Sequence, residues 1–200
     1  SFPPLEEDDV VRGKLARDIA DMAEASEYPD GQSYQSLSVK KTRILSGRHD
    51  IPGSRVEIAA LQLGIVPERY SRNMKTFSFR DQCRLLEAQV TVVGLGGLGG
   101  CVVEVLARMG VGTLHIIDAD DFEEGNLNRQ FLSNETNLGK SKATVAGERI
   151  KTINSSVIVH AHPVFLDKTN ADRLLAETEV IVDCLGGVAE RKKKKKAARK

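Results

Sequence analysis

Six consecutive residues, Gly94-Leu-Gly-Gly-Leu-Gly99, lie between a β-branched run and a helical run, and their types suit one task. In a G-x-G-x-x-G loop the first glycine permits a tight turn and the second lets the backbone approach a phosphate. The third allows close packing of helix on strand. The backbone at Gly96 is therefore the candidate phosphate approach, with free N–H groups and a helix N-terminus to attract negative charge. Asp118 ends the next strand, 24 positions after Gly94. A carboxylate there is placed to accept hydrogen bonds from ribose hydroxyls. An empty structural turn is the alternative, and the strand and helix on its flanks argue against it. The loop alone does not choose among NAD, FAD and ATP.

The choice comes from residues 118–142, DADDFEEGNLNRQFLSNETNLGKSK. A dehydrogenase needs a single acid here. This chain offers Asp118 and Asp120, then Asn126, Arg129 and Gln130, then Lys142. Cations returning towards a phosphate loop suit chemistry that expels pyrophosphate, because they stabilise charge gathering on the α-phosphate and the leaving group. Taken singly, each charge reads as part of a solvated loop.

The elements that must position these residues follow from periodicity. QVTVVG (89–94) is a continuous β-branched run, as a strand buried on both faces requires. Residues 101–110 read as a helix, 112–118 as a strand, 141–153 as a helix and 157–162 as a strand. A helix at 170–177 and a strand at 180–185 complete the series. This alternation predicts an α/β fold, a Rossmann-like, mostly parallel sheet with helices on both faces and strand order 3-2-1-4. Upstream, residues 5–25 carry Val11, Leu15, Ile19 and Met22 at helical spacing, and residues 28–38 read as a loop. Short helices are expected after Pro52-Gly53-Ser54 and over residues 80–88. The expected division is a mainly helical appendage, residues 1–68, and a nucleotide-binding domain, residues 69–200.

Composition narrows the class. At 40% hydrophobic and 28% charged, the 200 residues can bury a core, which aliphatic side chains must fill because aromatics are only 4%. No stretch approaches a membrane span, and the acidic start SFPPLEEDD does not read as a secretory signal. Three separated cysteines without a C-x-x-C pair point to a reducing compartment, so the cytoplasm is the expectation. Cys101 and Cys184 are expected to be core residues. The last ten residues, RKKKKKAARK, hold eight of the 29 Lys and Arg, leaving 21 against 28 Asp and Glu elsewhere, about −7. With no aromatic to stack on bases and no apolar face, this tail reads as a solvated helix or a truncation point, not as a nucleic-acid or membrane contact. Of the four histidines, His160 and His162 share one face of a strand, too little for a metal site.

Taken together, GLGGLGG, DADDFEEGNLNRQ and GKSK resemble the ThiF/MoeB/HesA adenylating enzymes, relatives of the ubiquitin-activating enzymes, over about residues 69–191. The resemblance implies an adenylyltransferase that uses Mg-ATP to activate the C-terminal Gly-Gly carboxylate of a ubiquitin-like sulfur-carrier protein, as in thiamine or molybdopterin biosynthesis. A carboxylate is already a nucleophile, so positioning outweighs base catalysis. By the same resemblance Gly94, Gly96, Gly97 and Gly99 line the phosphates and Asp118 holds the ribose, with Asp120 beside it. Asn126, Arg129 and Lys142 face the phosphates, and Gln130 supports Arg129. Arg69-Tyr-Ser-Arg72-Asn73 looks like the family's R-Y-x-R-Q motif, which implies a homodimer with Arg72 acting in trans.

Two departures stand out. The family's fourth strand ends D-x-x-D-N, the second Asp holding magnesium, whereas this chain reads Asp183-Cys-Leu-Gly186-Gly187. That leaves Asp183 as the candidate magnesium ligand and weakens the metal expectation. The family also continues through further strands that dock the carrier. A non-catalytic nucleotide-binding or dimerisation module of the same fold is the alternative reading. An NAD-dependent oxidoreductase is a second, disfavoured because Asn126, Arg129 and Lys142 have no task in hydride transfer.

Overall fold

The computed structural model describes residues 9–186, with side chains from residue 13 onward. The lysine-rich tail and Arg191 lie outside the described residues. The chain forms two compact units with the boundary between Ala88 and Gln89, twenty residues beyond the sequence-based division at 68/69.

The N-terminal unit contains α1 (Asp9–Met22), β1 (Glu24–Glu27), β2 (Ser33–Leu37), α2 (Val39–His49), α3 (Gly53–Gln62), β3 (Val66–Pro67) and α4 (Phe79–Glu87). The expectation of a loop over residues 28–38 is corrected here. Residues 24–27 and 33–37 form an antiparallel hairpin, and β2 pairs in parallel with β3. Both hairpin strands are short and largely polar, so neither shows the apolar alternation that marks a strand. Ile19 from α1, Leu37 from β2, Leu45 from α2 and Val56 and Ala60 from α3 form the core. Helix α4 starts on a capping box, the Ser78 hydroxyl accepting from the Asp81 N–H and the Asp81 carboxylate from the Ser78 N–H.

The C-terminal unit alternates β4 (Gln89–Val93), α5 (Gly97–Met109), β5 (Thr113–Ile117), α6 (Lys142–Ile153), β6 (Ile158–His162), α7 (Ala171–Leu175) and β7 (Val180–Asp183). The four strands are parallel in the order β6-β5-β4-β7, the 3-2-1-4 order expected from the crossovers. All five residues of β4 are buried, the polar Gln89 and Thr91 included, as a strand covered on both faces requires. On one face Gly147 of α6 lies against Ala161, Val159 and Ile116. On the other, Val93 and Ile117 pack with Leu174, Leu166 and Leu175. Glu104 of α5 ties α5 to α6, accepting from Arg149 Nε at 3.0 Å and from Arg108 Nη2 at 2.6 Å. The Arg149 and Arg108 guanidiniums hold its carboxyl below the usual carboxylate range. The connection from β6 crosses back to place β7 beside β4. The strand order therefore reverses at β4, which opens a ligand crevice beyond the carboxyl end of that strand.

Candidate active site

The glycine loop occupies that crevice. Gly94 takes φ +92 and donates its N–H to Ile117 O at 2.8 Å, so the chain leaves β4 in a turn that L side chains avoid. A Cβ on Gly99 would lie 1.8 Å from Gly94 O. The loop therefore closes only with glycine at that position. Gly96 is different: a Cβ there would meet nothing nearer than Gln130 Nε2 at 3.8 Å. Its missing side chain relieves no internal clash and leaves the outer surface of the loop open to a ligand. Gly96 is also the N-cap of α5 and offers no side-chain cap to the first N–H groups of the helix. Uncapped N–H groups on a 13-residue helix attract an anion.

Asp118 braces this loop. Its Oδ2 accepts the Leu95 N–H at 2.6 Å and its Oδ1 the Asp120 N–H at 2.8 Å. Sequence reasoning did not find the first contact, because only the strand register brings the end of β5 against the start of the loop. Asp120 extends the chain of contacts. Its carbonyl accepts the Lys142 N–H at 3.0 Å, and its Oδ2 lies 3.5 Å from Lys142 Nζ. Lys142 is the first residue of α6 and only 6% exposed. A buried cation at a helix N-terminus is held against the helix dipole and against desolvation. An anion in the crevice would relieve both.

Residues 121–141 form a loop closed by an antiparallel bridge between Asp121 and Ser141 and anchored by buried Phe122. This anchor was not anticipated either: one aromatic in a polar stretch carries no periodicity. Within the loop, buried Asn126 accepts the Glu123 N–H on its Oδ1 at 3.0 Å, and its carbonyl accepts from Arg129 and Gln130. Asn126 thus shapes the turn that presents the next residues. The backbone of Arg129 lies against Gly97, and its exposed side chain donates to the Gly125 carbonyl and to Asn128 Oδ1. Gln130 is 6% exposed and faces Gly96. Its Oε1 is buried and has no hydrogen-bond partner among the described residues.

At the end of β7, Cys184 donates its N–H to Val93 O at 2.8 Å, and its backbone lines the turn at Gly94. Burial, then the Asp183 carboxylate, pushes its thiol above the usual range, which disfavours the thiolate. Cys101 corrects its expectation: it faces outward on α5, because the helix begins at Gly97 and this turns residue 101 away from the sheet. Asp183 is exposed, its Oδ1 accepting the Leu185 N–H at 3.0 Å, and Gly186 adds no side chain beyond it. No group of three or more His, Cys, Asp or Glu among the described residues is placed to hold a metal ion. No helix among the described residues is long and apolar enough to cross a membrane.

The structure thus brings the four glycines, Asp118, Asp120, Arg129, Gln130, Lys142 and the end of β7 into one region around the loop. Arg72 belongs to the N-terminal unit, where it is exposed and caps a 3-10 turn over Asn73–Lys75. That turn is braced on both sides. Arg69 Nε lies 3.2 Å from the buried Glu57 carboxylate, and Tyr70 donates to the same group at 3.3 Å. Asn73 Nδ2 donates to Gln82 Oε1 at 2.8 Å.

Comparison with known proteins agrees with this architecture. The model of the ThiF family matches residues 70–199. The adenylyltransferase and sulfurtransferase MOCS3 of Drosophila willistoni is 30% identical over 190 residues, which cover 90% of this chain and 41% of the fly protein. The Xenopus laevis protein of the same name is 35% identical over 125 residues, covering 62% of this chain and 28% of that one. Among solved structures, the E. coli tRNA N6-threonylcarbamoyladenosine dehydratase TcdA in complex with ATP superposes with a TM-score of 0.58 at 30% identity. The match covers 60% of this chain and 50% of TcdA. E. coli MccB, at 22% identity and TM-score 0.54, shares the fold. The chain spans well under half the length of the curated relatives named here.

Proposed function

We propose, from the premise that the chain belongs to the ThiF family, that it binds ATP at the Gly94–Gly99 loop and transfers the adenylyl group to a carboxylate. The observation that carries this reading is Lys142, a buried cation at a helix N-terminus, linked through Asp120 and Asp118 to the backbone of the glycine loop. Hydride transfer has no use for such a group. Asp118 is placed to hold the ribose while it braces the loop, and the open surface at Gly96 receives phosphate. The acceptor carboxylate attacks the α-phosphorus and the bond to the β-phosphate breaks. Pyrophosphate leaves with the electron pair. Lys142 and Arg129 offset the charge that develops, with Asn126 and Gln130 shaping the surface that presents Arg129. No proton has to be removed, so no general base is required.

The finer reading takes the acceptor to be the C-terminal Gly-Gly carboxylate of a ubiquitin-like sulfur-carrier protein. The word sulfurtransferase in the name of the fly relative supports it. A second reading comes from TcdA, named for a threonylcarbamoyl-modified tRNA nucleoside. That group also carries a carboxylate, so it restores the nucleic-acid partner that the sequence analysis set aside. In either case the protein works as a homodimer, with Arg72 of each copy reaching the other's nucleotide. ATP–pyrophosphate exchange, run with Gly-Gly-ending carriers in one arm and modified tRNA in the other, separates the two acceptors. ATP binding by calorimetry should exceed NAD binding. Tighter NAD binding overturns the adenylation reading in favour of an oxidoreductase, and ATP binding without exchange in any arm favours the non-catalytic module.

Magnesium is a separate test. With glycine at 186, ATP binding should depend little on Mg²⁺, and Gly186→Asp should add a dependence of about 1–3 kcal/mol, the scale of one charge-assisted contact. If wild-type binding is strongly Mg²⁺-dependent and Asp183→Asn abolishes the dependence, Asp183 is the ligand. Dependence that survives Asp183→Asn excludes both arrangements.

A further inference from the structure

Three of the four histidines meet on the face of the sheet that packs against α7. His115 of β5 stands opposite His160 of β6 in the strand register, and His162 follows two residues later on the same face. The His115 and His160 rings stack at 4.6 Å with 20° between their planes, and the His115 and His162 rings lie at 5.8 Å and 2°. Both ring nitrogens of His115 and Nε2 of His162 are buried without a hydrogen-bond partner among the described residues. Parallel stacking keeps the nitrogens of neighbouring rings from converging on one ion, and the three rings form no metal-holding group. The burial of these nitrogens favours neutral imidazoles at His115 and His162, whereas the His160 side chain is exposed. An imidazolium would bring an unpaired N–H and a charge within a few ångströms of the next ring, well inside the screening distance of physiological salt.

The surroundings sharpen this. The charged groups that act on the stack are Arg173 of α7, near His162, and Glu177 just after α7, near His115. One cation and one anion against three imidazoles do not neutralise a protonated stack. Burial pushes the His115 and His162 imidazoles below the ordinary range of 6.5. His160 pushes both further down, joined by His162 for His115 and by Arg173 for His162. For groups held neutral in this way the unfolded chain binds more protons, so folded stability is full above 6.5 and falls as pH drops through it.

The stack is also wired to the crevice. The carbonyl of His162 accepts the Asp118 N–H at 3.2 Å, and the Asp118 carboxylate holds the Leu95 N–H. Ile117, which lies between His115 and Asp118 in the sequence, holds the Gly94 N–H on its carbonyl. We propose that His115 and His162, whose stacked rings bury unpartnered nitrogens, form a proton sensor for the nucleotide loop: their protonation separates β6 from β5, withdraws the His162 carbonyl from Asp118 and releases the Gly94–Leu95 backbone. This rests on the reading of the loop as a nucleotide site.

The test compares wild type with the His115→Phe/His162→Phe double variant, whose flat rings at both positions cannot be charged, and with His115→Phe, which removes one of the two charges. Hydrogen-exchange protection of the Gly94 and Leu95 amides, corrected for intrinsic rates, is measured on ligand-free protein between pH 7.5 and 5.5. ATP affinity is measured in parallel. Wild type should lose at least tenfold in both over this range, the double variant should lose less than threefold in protection, and His115→Phe should fall between them. The titration of ATP itself affects every protein alike and cancels between them. Equal losses in wild type and variants overturn the sensor. If the phenylalanine variants fail to fold, the His115→Gln/His162→Gln variant serves, with the criterion of the double variant. Absence of ATP binding at pH 7.5 defeats the nucleotide reading, whereas the amide protection still decides the sensor.

Discussion

Gly99→Ala should disrupt the phosphate loop, whereas Gly96→Ala should leave the fold intact and remove only nucleotide binding. At position 99 the new methyl meets Gly94 O at 1.8 Å and Gly94 C at 2.8 Å, both backbone atoms. Gly94 cannot retreat. Its N–H is held by Ile117 O, its φ of +92 is already one that few conformations share, and Cys184 backbone atoms lie 3.0 Å from where its own Cβ would be. Overpacking against fixed backbone costs about 3 kcal/mol or more, which is about 10 °C in Tm for a unit of this size. At position 96 the nearest atom is the end of the Gln130 side chain at ordinary contact distance, so stability should change by less than about 1 kcal/mol. The methyl stands instead where phosphate approaches, and ATP affinity should fall about a hundredfold, close to 3 kcal/mol. Thermal melting and calorimetry on the two variants give the comparison. A Gly96→Ala protein that binds ATP like wild type would remove the loop from the nucleotide site, and a Gly99→Ala protein that melts like wild type would show that the turn can close another way.

The C-terminal sheet was legible because its physics is local. Val90, Val92 and Val93 form an apolar run that no other element accommodates, and Gly110, at φ +90, caps α5 where the helical pattern stops. Its strand order followed from crossover geometry alone. The N-terminal hairpin was not legible, because Glu24–Glu27 and Ser33–Leu37 owe their extended form to pairing with each other and with β3, not to an apolar face of their own. At the site, residue types and spacing named side chains that the fold gathers around the glycine loop, but not the contacts that hold several of them there. Asp118 reads as a ribose ligand in sequence, and only the fold shows that its carboxylate also closes the glycine loop. Gln130 reads as a support for Arg129, yet the structure turns it towards Gly96. His115 gave no signal, since the strand register that sets it against His160 lies 45 residues away in the chain.

Lys142→Met and Arg129→Ala should each slow ATP–pyrophosphate exchange by a factor of about 10²–10³, the effect of removing one preorganised charge from a transition state. The two sites differ in what else they cost. Arg129 is exposed and, among the described residues, bonds to its own loop, to Gly125 O and Asn128, so its removal should leave stability within about 0.5 kcal/mol of wild type. Lys142 is buried at the start of α6, where the helix dipole opposes a cation. A methionine of similar volume removes the desolvated charge, and stability should stay within about 1 kcal/mol or rise, even though an ion pair with Asp120 is lost. ATP affinity in both variants should weaken by about tenfold at most, because charge builds on the phosphates chiefly as pyrophosphate leaves. Arg129→Lys should recover part of the rate, since it restores the charge without the planar fork that grips two oxygens. A loss confined to affinity, with exchange at saturating ATP unchanged, would make these residues binding groups and not participants in the transfer. A Lys142→Met protein that loses several kcal/mol of stability would mean that the lysine is retained for its ion pair with Asp120, and the charge would then need no ligand to explain it.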